Sequence, residues 1–218
     1  MDDKLKKAYY IILGILILIF FTKDVKEDNF YKNIKIVENP NNYLTLINKN
    51  YQLKSNFVPN DLESISLKYS NSDKYLRHEA KINFEKLSED ASLLGYRIIA
   101  VSAYRDYNYQ NELFNYYVEE KGLEYALECS AKPGHSEHQS GLAVDVEGSN
   151  KDYDNFIDTK EYIWMKDNAH KYGFILRYPK GKENITGFKF EPWHYRYVGK
   201  EVATYLYQNN LTLEEYLK

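Results

Sequence analysis

One cysteine stands in a chain of 218 residues. Cys129 alone excludes an intramolecular disulfide framework, a cysteine-ligated metal cluster and a CxxC redox pair, and it reads as a small buried hydrophobe. A basic excess is missing too, since the formal net charge is −3. Of the 29 basic and 32 acidic residues, four and two fall in the first 23, so the remainder is more acidic still. That balance leaves no electrostatic footprint for nucleic acid. Internal repeats and low-complexity tracts are absent. No uncharged apolar run is as long as a spanning helix, which takes roughly 17–25 residues; the longest runs only from Ala8 to Phe21.

That run follows Lys4, Lys6 and Lys7, the layout of a secretory apolar segment. No Ala-x-Ala-like cleavage site comes after it. Residues 1–22 are therefore expected to form an uncleaved signal anchor in the cell membrane. The lysines would stay in the cytoplasm and the rest of the chain would lie outside; secretion after cleavage is the alternative. Residues 23–42 are charged, Asn-rich and without period, and read as a tether. The folded domain is then 43–218.

What the chain has in quantity is tyrosine, 23 of them. Each buries an apolar ring and keeps a polar tip, which suits the walls of grooves, although biased codon usage gives the same excess. Tyr43 to Lys49 has the look of a short strand, and Phe57 to Leu62 of a turn. Leu76, Ala80, Phe84, Leu87, Ala91 and Leu94 recur at steps of three and four, which predicts a helix over 74–94 with one buried stripe, ended by Gly95. Arg97 to Val101 reads as a central strand that delivers Ser102 to Arg105. A helix begins at Asp106 with Tyr109, Leu113, Tyr117 and Phe114 inward, and a shorter one covers Leu123 to Cys129. In the strand expected over 142–146, Leu142, Val144 and Val146 take one face, and Asp145 shares the other with Gly141 and Ala143. A helix over 160–172 capped by Gly173, a strand over 174–178, a polar loop over 179–186 and two closing helices complete the order. The second closing helix is opened by Thr212 as N-cap. The fold class is α+β, helices packed on a small, mostly antiparallel sheet.

Two stretches carry chemistry. Gly134 to Asp145 holds a loop with His138 running into the strand of Asp145, and Glu191-Pro192-Trp193-His194 offers another acid and another histidine. Zinc takes imidazole nitrogen and carboxylate oxygen, and a catalytic site keeps a position for water. His138, Asp145 and His194 would fill the three protein positions. Glu191, one turn from His194, would take the water's proton and pass it to a leaving amine. Arg105 would offer a fixed positive fork to a carboxylate or a developing oxyanion. Taken singly these spacings are common; a His-x6-Asp pair arises by chance, and a Glu-x-x-His pair is usually a solvated face.

The whole set is more specific. Ser136 to Asp145, with Glu191 to Gly199, closely resembles the VanY-type D-alanyl-D-alanine carboxypeptidases. These belong to a wider group of zinc peptidases that includes lysostaphin-like enzymes and hedgehog domains. Ser102-Ala103-Tyr104-Arg105 with Gln110, Leu46 to Lys49, Pro133-Gly134 and Leu211 to Leu217 extend the likeness from about Tyr43 to the C-terminus. The resemblance implies a bacterial cell-wall enzyme that uses Zn2+ to trim the peptide stem of peptidoglycan. By matching position, His138, Asp145 and His194 correspond to its zinc ligands and Glu191 to its base. Arg105, Gln110 and Ser136 correspond to substrate-binding positions, the last two at the terminal D-amino acid. A D,D-carboxypeptidase is expected. The resemblance leaves an L,D-carboxypeptidase acting on tetrapeptide stems as a rival, because both substrates end in a D-residue. A zinc-stabilised cell-wall-binding module without turnover is the rival of another class, expected to lack Glu191 or Arg105.

Other candidates have plainer readings. His135 sits at a variable position of the matched motif, and His78 and His170 fall on helices as surface or capping residues. Glu137 either orients a ligand or is purely structural. Trp193 reads as a buried aromatic beside the site. Tyr104, Tyr195 and Tyr197 flank the motifs, and the sequence does not choose among them as donors to substrate.

Overall fold

A computed structural model describes residues 30–218, and those from Asn33 onward form a compact unit. The expected anchor over 1–22 lies outside the described residues. Among the described residues, no helix is long and apolar enough to cross a membrane.

The chain opens with β1 (Lys35–Ile36), which pairs in parallel with β2 (Tyr51–Gln52), so part of the stretch read as tether carries a strand. No strand forms over 43–49. The backbone there is spent on other partners: the carbonyls of Tyr43 and Thr45 accept from the Arg196 guanidinium, and the Leu44 and Thr45 amides donate within the Asn42 turn. A hairpin of β3 (Leu62–Ser64) and β4 (Tyr75–Arg77) follows. It takes the first residues of the expected 74–94 helix, so α1 runs only from His78 to Leu93. The predicted stripe is buried at Leu76, Ala80, Phe84, Leu87 and Ala91, whereas Leu94 is 64% exposed. It lies past the last helical turn, where the period no longer points inward, and Gly95 follows at φ 82.

β5 (Ile99–Ser102) leads through the Asp106 N-cap into α2 (Tyr107–Lys121), and α3 (Leu123–Cys129) follows. The inward face expected of α2 holds at Phe114 and is corrected at Tyr109, Leu113 and Tyr117. Gln110 and Phe114 are its buried residues, while Tyr109 is mostly exposed. Tyr109, Leu113 and Tyr117 form a stripe that faces an open cleft instead of the core.

β6 (Ala143–Glu147), α4 (Lys160–Asn168), β7 (Phe174–Leu176), α5 (Glu183–Thr186), β8 (His194–Tyr197), α6 (Lys200–Asn209) and α7 (Leu213–Tyr216) complete the order. Residues 169–172, expected as helix, tighten into a 3-10 turn before Gly173, and α5 occupies part of the expected polar loop. The main sheet has the order β5-β6-β8-β7 and is antiparallel throughout. Leu142, Val144 and Val146, fully buried, meet Phe84 and Leu87 of α1 with Phe174, Tyr195 and Tyr197 in one core. Each large side chain buried there contributes about 1.5–3 kcal/mol. This α+β core makes β5, β6 and β8 a rigid floor, and their ends carry the candidate residues.

Candidate active site

Register brings the acidic and basic groups together. Ser102 of β5 lies opposite Asp145 of β6, and Asp145 lies opposite His194 of β8. Cross-strand partners stand within side-chain reach, so residues 49 apart in sequence become neighbours. His138 arrives from a separate 3-10 turn, Glu137–Ser140, whose N-cap Ser136 accepts from the His138 amide.

Each histidine is oriented from behind. His138 Nδ1 lies 2.6 Å from the Ala103 carbonyl, which can only accept. Its proton is therefore on Nδ1, and the Nε2 lone pair faces Asp145 Oδ2 at 3.3 Å. His194 shows the other edge: Nδ1 is 2.8 Å from Asp145 Oδ1, Nε2 faces Glu137 Oε2 at 3.5 Å, and the ring stacks on Tyr178 at 4.9 Å. One ligand atom from each of His138, Asp145 and His194 lies within 4.8 Å of the others. Tetrahedral coordination at about 2.0–2.1 Å separates ligand atoms by roughly 3.3 Å, so the set suits one zinc-sized cation. Two imidazoles and a carboxylate, without cysteine, are borderline-hard donors of the kind zinc accepts.

Electrostatics agree. Burial and the Arg105 charge push His138 down to about 4, so it is a neutral ligand at neutral pH. Burial alone would raise Asp145, but the two histidines hold it well below the usual carboxylate range. Burial would likewise lower His194, yet Asp145 and Glu137 outweigh it and raise the ring to about 9. Carboxylates that hold a proton so firmly on one ring mark a point where positive charge is favoured.

Glu191 sits in the turn before β8, not on a helix. Its amide donates to the Tyr178 carbonyl and its carboxylate lies 3.9 Å from His194 Nδ1. Burial, reinforced by Asp145 and Glu137, raises it to about 7 against the opposing charges of His194 and Arg105. Arg105 is braced by Ser102 Oγ at 2.7 Å and Gln110 Oε1 at 3.1 Å, and it reaches Asp145 at 3.4 Å. Gln110 is 1% exposed and touches the site through Arg105, while its amide nitrogen is tied to the Ala131 carbonyl. Arg105, Ser136, Glu191, Tyr117, Tyr153 and Trp193 are among the residues lining a cleft of about 450 Å³ above the triad.

Not every reading holds. Trp193 is only half-buried and stands in the cleft wall, edge-on to Tyr153 at 5.4 Å. Tyr195 and Tyr197 face the core, and the Tyr197 hydroxyl donates to Glu79 of α1, so neither meets the cleft. His135 is buried against the Asn48 carbonyl, His78 pairs with Glu63 at the surface, and His170 stacks on Tyr207. Tyr178, Arg177 and Arg196 were missed. Strand alternation held the signal for the last, because His194 and Arg196 share one face of β8 and Tyr195 and Tyr197 the other.

Two imidazoles and a carboxylate converging under an open cleft, with a carboxyl of raised pKa and a braced arginine beside them, define the class of a metal-dependent hydrolase. A family described as VanY, D-alanyl-D-alanine carboxypeptidase, matches residues 73–200. The chain belongs to this family. It is 40% identical over 180 residues to VanXYC of Enterococcus gallinarum, a bifunctional D-Ala-D-Ala dipeptidase and carboxypeptidase, covering 80% of this chain and 93% of that protein. Among solved structures it resembles the LD-carboxypeptidase LdcB, with a TM-score of 0.79 and 42% identity over 85% of this chain and 90% of that one. It also resembles a mutant of the D,D-pentapeptidase VanY from the VanB-type resistance cassette, in complex with Zn(II). There the TM-score is 0.70 at 34% identity, covering 81% of this chain and 99% of that one.

Proposed function

We propose that the chain is a zinc-dependent D,D-carboxypeptidase that removes the C-terminal D-alanine from peptidoglycan stem peptides. One observation carries this: His138, Asp145 and His194 converge beneath a cleft that Glu191 and Arg105 also enter. His138 Nε2, His194 Nδ1 and an Asp145 carboxylate oxygen would hold the ion. Bound zinc supplies Lewis acidity and makes water a stronger acid. Glu191 takes the proton of the attacking water on its carboxylate and delivers it to the leaving amine nitrogen. Arg105, held still by Ser102 and Gln110, meets the substrate's terminal carboxylate and the charge that grows on the scissile carbonyl oxygen. Ser136 borders the terminal residue, and Gln110 acts on it by bracing Arg105. A binding module without turnover would have no use for the Glu191 carboxyl that enters the cleft beside the metal ligands.

The likeness to LdcB favours a second reading, L,D-cleavage of tetrapeptide stems. Both substrates end in a D-residue and its carboxylate, so the groups gripping that end serve either. Incubating the protein with pentapeptide and with tetrapeptide stems, with and without a chelator, and weighing the products decides between them. Loss of one D-alanine from the pentapeptide, abolished by chelation and restored by zinc, is the expected result. Release from the tetrapeptide alone favours the L,D reading, and turnover that ignores the chelator overturns both. We further propose that residues 1–22 anchor the enzyme outside the membrane, since the substrate lies there; recovery of the full chain in the soluble fraction would count against it.

A further inference from the structure

We propose that Glu137 is a positioning residue that decides which nitrogen of His194 meets the metal: its Oε2 accepts the Nε2–H and leaves Nδ1 as ligand. The inference rests on the zinc reading above. Glu137 has no side-chain exposure, and neither do Arg177 and Arg196. Its Oε1 accepts from Arg177 Nε at 2.7 Å and from Arg196 Nη1 at 2.8 Å, which fixes the carboxylate plane. Oε2 receives nothing from either arginine and faces His194 Nε2 at 3.5 Å. Both atoms are buried without a hydrogen-bond partner among the described residues, and each is within reach of the other. Buried polar atoms are normally satisfied, and here each is the only remedy for the other. A carboxylate present only to neutralise two arginines would have no need to turn one oxygen toward a ligand histidine.

The clamp is anchored far from the metal. Arg177 forks onto Glu214 of α7, with Nη1 to Oε2 at 2.8 Å and Nη2 to Oε1 at 2.7 Å, and Arg196 Nη2 holds the Tyr43 and Thr45 carbonyls at 3.0 Å. Both ends of the domain therefore bear, through Oε1, on the carboxylate behind His194. The two histidines present opposite nitrogens because different acceptors stand behind them, the Ala103 carbonyl for His138 and the Glu137 carboxylate for His194. A metal-bound histidine whose free N–H is held by an acceptor keeps its tautomer and ring orientation.

Nitrogen-15 NMR of the zinc-loaded full-length chain, with histidine side chains labelled, tests this directly. The expected spectrum has His194 with a protonated, hydrogen-bonded Nε2 and a metal-shifted Nδ1. In parallel, E137Q is expected to bind zinc about 10–100-fold more weakly in chelator competition. Zinc on Nε2 in the wild-type spectrum, or wild-type affinity in E137Q, overturns the proposal. If E137Q does not fold, the wild-type spectrum decides alone. A wild-type chain that takes up no zinc overturns this and the functional reading together, whereas a zinc-loaded chain with the expected spectrum but no D-alanine release overturns only the function.

Discussion

Glu137 and Glu191 flank the same imidazole, yet their surroundings drive them in opposite directions. Burial would raise both, but Glu137 lies between Arg177 and Arg196, which pull it far below the ordinary carboxylate range. Glu191 has no such clamp, and burial beside Asp145 carries it to about 7. Two like residues thereby become a permanent anion and a proton carrier, a division of roles set by environment alone. At the residue scale the consequence is sharp. Glu191→Gln keeps the shape of the side chain and removes its capacity to accept a proton. Turnover should fall by about 10²–10⁴-fold, with zinc content by metal analysis unchanged because Glu191 is not among the converging ligand atoms. Near-normal hydrolysis of stem peptide by this variant would remove Glu191 from the role of base.

At the scale of elements, the sequence was legible where one period ran undisturbed. The α1 stripe from Ala80 to Ala91 and the Leu142-Val144-Val146 face are buried as alternation and helical spacing require. It misled where an apolar or aromatic period served something other than the core. The Tyr109, Leu113, Tyr117 stripe of α2 lines the cleft, and no local signal distinguishes a groove wall from a core face. Residues 43–49 lost their expected strand because Arg196, some 150 residues later, takes two of their carbonyls. Helix ends were read well, and they can be ranked physically. Gly95 and Gly173 both hold positive φ, 82 and 86, but a Cβ on Gly95 would meet nothing within 4 Å, whereas on Gly173 it would lie 2.5 Å from Tyr197 Cε2 and 3.1 Å from the Gly199 backbone. Gly95→Ala should therefore cost only the left-handed strain, about 1–2 kcal/mol. Gly173→Ala adds an overpacking cost of about 1–3 kcal/mol against a buried ring. Urea unfolding of the two variants should show Gly173→Ala clearly the less stable, and equal losses would mean that Tyr197 yields without cost.

For the whole molecule, the site is a concentration of charge that the fold holds together and that metal and protons contest. The four candidate residues shared by β6, the 3-10 turn and the Glu191–His194 segment were legible only as a set, through the motifs they form together, since each spacing alone is common; the arginine clamp was not, because a buried arginine looks like a surface one until its partners are known. The contest has a definite sign. With chelator present, His194 holds its proton to about 9 when folded, against an ordinary value of 6.5. A raised pKa contributes stability that is complete below 6.5 and disappears as pH climbs through 9. Across that window stability falls by on the order of 1 kcal/mol per pH unit. Below it, His138 and Glu191 act in opposite senses: the depressed histidine gains stability with rising pH between about 4 and 6.5, while the raised carboxyl loses it between 4.5 and about 7. Chelated protein should therefore weaken as pH rises from 6.5 toward 9. Zinc must displace the Nδ1 proton of His194, so its own stabilisation grows with pH and fills in that alkaline loss. Urea unfolding across this range, with and without zinc, should give two curves that diverge above pH 6.5; parallel curves would mean that His194 is not the group for which metal and proton compete.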